Sequence, residues 1–374
     1  MPFRGRLQEL FLLDPNVVFL NHGAFGACPR PVFDEYQRLQ RELEHEPVQF
    51  LNLRRRFPDL IAAARARLAD YVGAQAADVL LAQNATTALN VVAHALELRP
   101  GDEVVATTHE YGANDILWRR VCERVGARYV EVETRPARAV EDLIGALTER
   151  TRALFVSHIT SPSALVFPIA KLCAAARAAG VFTIVDGAHA PGQIELDVEA
   201  VGADVYVGDC HKWLCAPKGS GFLHAQPEAQ ALLEPRIVSW DWEEEAWADR
   251  HRWIGTRDPS AQLAVAAAID FQAEHQWESV RERCHALAVA ATRRLGELGL
   301  EPTAESDDEY AQMVAFRLAP CDAEAVERRL FAEYRIDVAA QTWRDEPTLR
   351  VSFQGYNDES DLDALVDALR RLGL

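Results

Sequence analysis

VFTIVDGAHAPGQ (residues 181–193) and VYVGDCHKW (residues 205–213) are the two stretches that decide the fold. Each begins as a short apolar run rich in β-branched residues and then becomes polar. A continuous apolar run of this length predicts a strand covered on both faces of a sheet. Because ligands bind beyond the carboxyl ends of strands in open α/β sheets, we expect Asp186 and Lys212 to lie at such a site.

Similar apolar runs alternate with amphipathic helical patterns on both sides of these stretches. The helical patterns include Thr87–Leu98, Ala113–Val125 and Ile169–Ala179. Alternation of this kind predicts an α/β domain with a mainly parallel seven-stranded sheet and helices on both faces. The seven strand candidates are Asp78–Leu81, Glu103–Thr107, Ala127–Glu133, Ala153–Ile159, Val181–Asp186, Val205–Val207 and Gly221–His224.

The last third of the chain has a different pattern, which predicts a small α+β domain. Strands are expected at Met313–Leu318 and Leu349–Phe353, and helices at Asp322–Tyr334 and Asp361–Leu372, the last with Ser360 as N-cap. We therefore divide the chain into an N-terminal segment (1–30), a large domain (31–260) and a small domain (261–374). The long helical patterns Arg54–Tyr71 and Gln262–His275 are candidates for packing or dimer contacts.

Composition excludes several functional classes. The chain has 374 residues, 49% of them hydrophobic, and a net charge of −18, so it lacks the basic footprint of a nucleic-acid binder. It has no run of about 18 consecutive apolar residues, so no membrane span is predicted. The seven cysteines lack CxxC spacing, and the first residues lack the pattern of a secretory signal. A cytoplasmic protein with neither disulfide framework nor metal site is expected.

Asp186 and Lys212 suit the chemistry of pyridoxal 5′-phosphate (PLP). A lysine forms an imine with the cofactor aldehyde, and a carboxylate keeps the pyridine nitrogen protonated. A surface lysine and a capping aspartate would explain an isolated pair, but further residues favour a cofactor site. His211 could donate to a phosphate, and the helix that begins near Ala85 and Thr86 could bind one at its N-terminus.

Two residues that could contribute to a cofactor site, Thr86 and Tyr111, also have ordinary structural explanations. Thr86 could simply be the N-cap of its helix. Tyr111, which follows the next strand, could stack on the pyridine ring or pack in the core.

Together these residues resemble the class V aminotransferase family of fold-type I PLP enzymes, over most of the chain. DGAHAPGQ with the downstream HKW is the most specific motif, and NATTALN is less so. Within the family, four stretches look most like the isopenicillin N epimerase-like branch. They are LNHGAFG (Leu20–Gly26), SHITSP (Ser157–Pro162), HKWLCAPKGSGFL from His211, and IGTRDPSAQLA (Ile254–Ala264).

The resemblance implies a role for each matching cofactor residue. Lys212 would form the Schiff base and carry protons, Asp186 would pair with the pyridine nitrogen, and His189 would bond the phenolic oxygen. The other cofactor residues would be Ala85, Thr86 and His211 at the phosphate, Tyr111 at the ring, His158 nearby, and Thr256 reaching the phosphate of a neighbouring subunit. The last of these implies a homodimer.

The resemblance also implies a substrate site. Arg350 would bind the α-carboxylate, a task that suits the bidentate guanidinium group. Asn21, His22 and Gly23 would border the substrate entrance. Tyr111 and His22 are the candidates for a second acid. The tryptophans could line a wall for a bulky side chain, and the candidates are Trp240, Trp242, Trp247, Trp253 and Trp343.

The sequence departs from the desulfurases of this family in two places. Asp209 stands where they carry a small hydroxyl residue on the phosphate, so we expect its carboxylate to point elsewhere or to pair with a cation. The stretch 339–346 lacks the thiol nucleophile of a desulfurase, and Cys321 comes too early to supply it. A persulfide-forming desulfurase is therefore not expected.

The expected function is PLP-dependent chemistry at the α-carbon of an amino acid, through an external aldimine and a carbanion. Epimerisation and β-elimination, including C–S cleavage, remain open as outcomes. An aminotransferase that uses the same lysine is an alternative, because fold-level analogy does not fix the reaction. A catalytically silent subunit of the same fold is a further alternative.

Overall fold

A computed structural model describes residues 4–374. The chain begins with short elements that lie beside its C-terminal part. These are α1 (Arg4–Leu10), β1 (Val18–Phe19) and α2 (His22–Phe25), followed by α3 (Arg30–His45), α4 (Pro47–Leu51) and α5 (Arg56–Val72). In α5, the apolar face formed by Phe57, Ile61 and Ala64 is buried, and Gly73 ends the helix in the left-handed conformation that glycine accepts readily.

Seven strands form the main sheet, and they agree with the seven predicted runs. They are β2 (Val79–Ala82), β3 (Glu103–Thr107), β4 (Arg128–Val132), β5 (Thr151–Ser157), β6 (Phe182–Asp186), β7 (Val205–Asp209) and β8 (Gly221–Ala225). Their order is β2-β8-β7-β6-β5-β3-β4. Only β8 runs antiparallel to its neighbours, β2 and β7. The predicted fold class, a mainly parallel α/β sheet, is confirmed.

Helices cover both faces of this sheet. They are α6 (Ala85–Ala95), α7 (Gly112–Val125), α8 (Ala139–Gly145), α9 (Ile169–Ala178) and α10 (Val198–Val201). Successive residues of one strand enter different cores. Phe155 packs in the cluster that contains Trp118 of α7, whereas Leu154 packs in the cluster that contains Leu172 of α9. Because both faces are buried, the strands show continuous apolar runs.

The C-terminal part begins after the short helices α11 (Pro227–Gln230) and α12 (Trp247–Arg250). Its helices are α13 (Ser260–Leu263), α14 (Val265–Glu274), α15 (Trp277–Gly296), α16 (Ala323–Tyr334) and α17 (Glu359–Leu372). Its strands are β9 (Glu301–Pro302), β10 (Met313–Arg317), β11 (Ile336–Asp337), β12 (Ala339–Trp343) and β13 (Glu346–Ser352). The antiparallel sheet has the order β12-β13-β10-β9. The expected α+β character is confirmed.

Two details differ from the sequence analysis. Ser360 is not the N-cap of α17; Asp358 is, and its side chain accepts a hydrogen bond from the Ser360 backbone. Strand β1 pairs in parallel with β11, so the N-terminal segment joins the C-terminal part. The largest apolar core contains residues from both sides of residue 260, and the division into three domains stays a prediction. Across residues 4–374, no helix combines the length and apolarity needed to cross a bilayer.

Candidate active site

A cavity lies where β5, β6 and β7 end at the carboxyl edge of the main sheet. It brings together six residues that the sequence analysis assigned to the cofactor: Ala85, Thr86, Tyr111, Asp186, His189 and Lys212. It also contains Ser157, Ile159, Ser161, Ala188 and Asp209, which the sequence analysis had not assigned to the site. Segments far apart in sequence thus meet at one sheet edge, as expected for an open α/β fold.

Lys212 is the lysine of this cavity. The sequence contains three lysines, and all of them lie in the described part of the chain. Lys171 is exposed on α9, and Lys218 donates to the Gly26 carbonyl at 2.9 Å. The Lys212 Nζ atom lies 3.2 Å from the Asp209 Oδ2 atom. A Schiff base formed in the cavity therefore has one candidate amine.

Two glycines from the quoted motifs pack closely against the lysine loop, the residues His211–Leu214 around Lys212. Gly26 has φ +68, and a Cβ there would lie 2.0 Å from the His211 carbonyl oxygen. Gly192 has φ +88, and a Cβ there would lie 2.3 Å from the Trp213 carbonyl oxygen. A side chain at either position would displace the backbone next to Lys212, because only glycine accepts both the dihedral angle and the close approach.

Asp186 ends β6 and is almost fully buried. Its Oδ2 atom accepts from Asn114 Nδ2 at 2.7 Å, and its Oδ1 atom accepts from the Ala188 N–H at 2.9 Å. Burial raises the pKa of this carboxyl, although the charge of Lys212 acts in the opposite direction. Within residues 4–374 no ion pair involves Asp186. A protonated pyridine nitrogen would supply the cation that this carboxylate lacks.

His189 lies in the cavity as a neutral imidazole. Its Nδ1 atom accepts from Trp213 Nε1 at 3.1 Å. Burial, followed by the charge of Lys212, holds its pKa well below the ordinary value. With Nδ1 as acceptor, the proton of the neutral ring resides on Nε2. That N–H is a donor suited to a phenolic oxygen.

The opposite end of the cavity is the N-terminus of α6. Asn84 is the N-cap, and its side chain accepts from the Thr87 N–H at 2.8 Å. The capping explanation for Thr86 is therefore wrong; Thr86 lies exposed at the cavity. The Ala85 N–H donates to Asp209 Oδ1 at 2.8 Å. An anion thus already occupies this helix terminus, which shows that the position accepts negative charge.

The two remaining histidines of the predicted cofactor set are held outside the cavity lining. The His211 Nδ1 atom bonds the Ser220 carbonyl at 3.0 Å, and its Nε2 atom lies 3.9 Å from Asp209 Oδ2. The His158 Nδ1 atom bonds the Tyr206 hydroxyl at 2.9 Å, and burial lowers its pKa to about 4. His211 thus faces Asp209, whereas His158 contacts Tyr206.

Arg350, on β13, lies beside the cavity and contacts Ser161, which lines it. Its Nη1 atom donates to the Ser161 carbonyl at 2.6 Å and to the Ser161 hydroxyl at 3.0 Å. Its Nε atom is buried without a partner among residues 4–374. Burial lowers the pKa of the guanidinium to about 10, and Tyr111 acts in the opposite direction. A buried guanidinium with a free donor is suited to bind a substrate carboxylate.

Asn21, His22 and Gly23 do not line the cavity. The Asn21 side chain donates to Asp337 Oδ1 at 3.0 Å. His22 is fully buried, with Nδ1 at 2.9 Å from the Tyr356 hydroxyl and Nε2 at 3.1 Å from the Lys212 carbonyl. Its contact with the Lys212 carbonyl supports the loop that contains Lys212. Burial lowers its pKa to about 3, so it is a poor second acid.

The structure also separates the predicted tryptophans. Trp247 donates to the Leu233 carbonyl, and Trp253 packs edge-to-face against Phe57. Trp343 alone among the five lies close to the cavity mouth, in a depression with Tyr111 and Ser161. An aromatic wall built from all five side chains is therefore wrong. Thr256 is exposed and lies outside the cavity lining of its own chain.

The fold and the two ends of the cavity fit PLP, because an unpaired buried carboxylate lies at one end and an anion-binding helix terminus at the other. They define a fold-type I PLP enzyme. The aminotransferase class-V family model matches residues 18–365. The chain belongs to this family, and its cofactor is PLP.

Comparison with individual proteins sharpens this assignment. The chain is 38% identical to isopenicillin N epimerase from Amycolatopsis lactamdurans, over 98% of this chain and 97% of that protein. It is 31% identical to putative L-cysteine desulfhydrase 1 from Oryza sativa subsp. japonica, over 96% of this chain and 84% of that protein. A solved variant of C-DES with glycine covalently linked to its PLP cofactor superposes with a TM-score of 0.87, at 21% identity and 99% coverage of both chains. The protein is a class V PLP enzyme that acts on an amino acid.

Proposed function

We propose that the protein is an amino-acid epimerase. The observation that carries this proposal is that Lys212 and Tyr111 both line the cavity, so that each of them could exchange a proton with a substrate. Epimerisation requires removal of the Cα proton on one face and its delivery on the other. The resemblance to isopenicillin N epimerase over nearly the whole chain supports the same reaction class.

The geometry supports the following cofactor contacts. Asp186 would hold the pyridine nitrogen, His189 would donate to the phenolic oxygen, and the N-terminus of α6 with Thr86 would hold the phosphate. When bound, PLP withdraws electrons from the Cα atom of an attached amino acid and so makes its proton acidic. The chain's own residues then have to orient the substrate and move that proton.

Lys212 is the proposed base on one face of the substrate. Arg350 would fix the α-carboxylate, since its Nε donor has no partner within the described chain. Anchoring the carboxylate leaves the Cα–H bond as the group presented to Lys212.

Tyr111 is the proposed acid on the opposite face. It precedes α7, is 47% exposed, and lines both the cavity and the depression that contains Trp343. The second candidate, His22, has both ring nitrogens engaged away from the cavity. Tyr111 is therefore the remaining candidate from the sequence analysis that can contact substrate.

A persulfide-forming desulfurase is disfavoured by the cavity lining. No cysteine is among the residues that line the cavity in the described chain. Cys321 is exposed just before α16. Partial desolvation, followed by the charge of Asp322, raises the pKa of its thiol. The hairpin between β12 and β13, where a thiol nucleophile is expected, presents Trp343 and Arg344.

The experiment is proton exchange in D2O with the PLP-loaded enzyme, analysed by mass spectrometry and chiral separation. Isopenicillin N, free amino acids and cysteine conjugates are the substrates. Product with inverted configuration and one Cα deuterium supports the epimerase. Pyruvate with a released thiol, or a keto acid, contradicts it. Failure of every substrate to exchange, while the lysine-bound cofactor band is present, also contradicts it.

Tyr111→Phe gives the matched control. The phenylalanine ring keeps the shape and loses the acidic proton. We expect exchange on the Lys212 face to continue, and inversion to fall by roughly 10²-fold or more, the usual contribution of a general acid. Equal loss of exchange and inversion would contradict the two-sided assignment.

A C–S lyase is the second candidate function. The similarity to a putative L-cysteine desulfhydrase favours it, because β-elimination begins with the same proton removal by Lys212. The two reactions differ in whether the substrate carries a leaving group on Cβ. Pyruvate release from cysteine conjugates, without inversion of any other substrate, would establish this alternative.

We further propose a homodimer in which Thr256 reaches the phosphate of the neighbouring subunit. It is exposed and is absent from the cavity lining of its own chain, and both observations support this arrangement. If loss of Thr256 inactivates a shared site, mixing Thr256→Ala with Lys212→Ala subunits should restore about a quarter of the wild-type activity, because about half of the dimers are mixed and each of these has one intact site. All seven cysteines lie in the described chain as free thiols, which fits a reducing compartment such as the cytoplasm.

A further inference from the structure

Asp209 lies against two groups that would have to receive the cofactor phosphate, the Ala85 N–H and the His211 ring. We call these groups the phosphate cradle. Its Oδ1 atom accepts from the Ala85 N–H at 2.8 Å. Its Oδ2 atom lies 3.2 Å from Lys212 Nζ and 3.9 Å from His211 Nε2. The side chain therefore does not point away from the cradle. It pairs with the cation Lys212, which is one of the two arrangements expected from the sequence. It also occupies the cradle itself.

We propose that Asp209 is an internal anion that fills the phosphate cradle of the cofactor-free protein and competes with the phosphate group of PLP. The proposal rests on the placement of the phosphate at Ala85 and not on the reaction type. A carboxylate and a phosphate need the same peptide N–H, and at short range their charges repel each other.

The backbone of Asp209 is fixed, so the competition has to be resolved by its side chain. Asp209 is the last residue of β7 and pairs with Gly221 of β8. It is only 4% exposed. The carboxylate can leave the Ala85 N–H by rotation about its side-chain bonds. The nearby group that can receive it is the His211 ring, whose Nε2 atom faces it.

The groups that face Asp209 would change when the cofactor enters. Lys212 and His211 face it from the loop after β7, and the Asp186 carboxylate acts on it from β6. Lys212 is also the amine that the cofactor would consume. Entry of PLP would thus convert the ammonium partner of Asp209 into a Schiff base and at the same time bring a second anion to the same cradle.

The test compares PLP with pyridoxal, which has the aldehyde and lacks the phosphate. Dissociation constants for both aldehydes are measured on cofactor-free wild type, Asp209→Asn and Asp209→Ser, from the absorption band of the lysine-bound cofactor. Loss of the ion pair to Lys212 affects both aldehydes, so pyridoxal corrects for it. Inorganic phosphate is tested in parallel by its thermal protection of each cofactor-free protein.

We expect both variants to bind PLP more tightly than wild type by roughly tenfold or more beyond any change in pyridoxal binding. Phosphate should protect the variants at lower concentration. Equal or weaker PLP binding after correction, with the band still formed on Lys212, would overturn the inference and leave the proposed site intact. Absence of a Lys212-dependent band in every protein would overturn the site and the inference together.

Discussion

Asp186 and Asp209 are both 4% exposed and end neighbouring strands of the main sheet, yet their surroundings differ. Asp186 accepts from two neutral donors, the Asn114 amide and the Ala188 N–H. Asp209 accepts from the Ala85 N–H and pairs with Lys212. One carboxylate lacks a cation, and the other already has one.

In the proposed site, this difference corresponds to the two ends of the cofactor. A buried charge is stable only when it is paired and hydrogen-bonded. The Asp186 end is organised but unpaired, so a cationic ligand atom would complete it. The Asp209 end is complete before any ligand arrives, so an anionic ligand group has to displace something. In the proposed site, the ring end would attract the cofactor, whereas the phosphate end would oppose its entry.

Lys212→Ala removes the cation from the Asp209 end and should have the largest effect. We expect activity to fall by roughly 10²–10⁴-fold or more, because the proposed base is lost with the covalent link. Borohydride reduction of the PLP-loaded wild type followed by peptide mass mapping should label Lys212. Lys171→Ala is the matched control and should retain full labelling. Label on Lys171 or Lys218 in the wild type would contradict the assignment.

Asp186→Asn tests the other carboxylate and should lower kcat/KM by on the order of 10²-fold, since an amide does not stabilise a charged pyridine nitrogen. The cofactor-free protein should respond in the opposite direction. Burial raises the pKa of Asp186, so ionisation above its ordinary value of 3.8 opposes folding. Asparagine removes this cost.

The measurement for that second effect is urea unfolding with and without PLP. At pH 7 we expect the cofactor-free variant to be more stable than wild type by roughly 1–3 kcal/mol, and this advantage to shrink in the PLP-loaded form. A variant that is less stable than wild type in both forms would mean that Asp186 is adequately paired within the chain.

The sheet and most of the cavity could be predicted because they depend on local patterns. Continuous apolar runs marked the strands, and a polar residue after such a run lies at the sheet edge wherever the strand is placed. Asp186 and Lys212 follow directly from that rule. The predicted strand Glu103–Thr107 even has the bounds of β3, since its five residues are all buried.

The direction of individual side chains could not be predicted. Asp209 meets Ala85 across a separation of 124 residues, and no local pattern encodes that contact. His22 stands beside a glycine in a motif that suggests an entrance, yet its ring turns under the lysine loop towards Tyr356. Strand β1 was missed because its pairing partner, β11, lies near the other end of the chain.

Glu110 provides a pH test of the Asp186 end. It is 2% exposed, and the hydroxyls of Thr107 and Ser157 donate to it at 2.6 and 2.5 Å. Burial raises its pKa from 4.5 to about 8, with Asp186 contributing in the same direction. Between these values the unfolded chain releases a proton that the native protein keeps. Stability should therefore fall as pH rises, by up to about 1.4 kcal/mol per pH unit.

Glu110→Gln should remove this slope. The measurement is urea unfolding of cofactor-free wild type and variant from pH 5 to pH 8.5. At pH 5 both native proteins carry an uncharged group at residue 110, so the comparison there isolates the effect of shape. We expect the variant to gain on wild type steadily up to about pH 8. Parallel curves would show that Glu110 is ionised in the native protein.

Asn84→Ala tests the Asp209 end and should have the smallest effect. Asn84 caps α6 through the Thr87 N–H, and loss of such a cap costs about 1 kcal/mol. Thr86→Ala is the matched control and should leave stability nearly unchanged, because Thr86 is exposed and is not the cap. Both variants keep the Ala85 N–H that donates to Asp209. A larger loss for Thr86→Ala would mean that Thr86, and not Asn84, caps α6. The N-terminus of α6 beside Asp209 would then have a different direction.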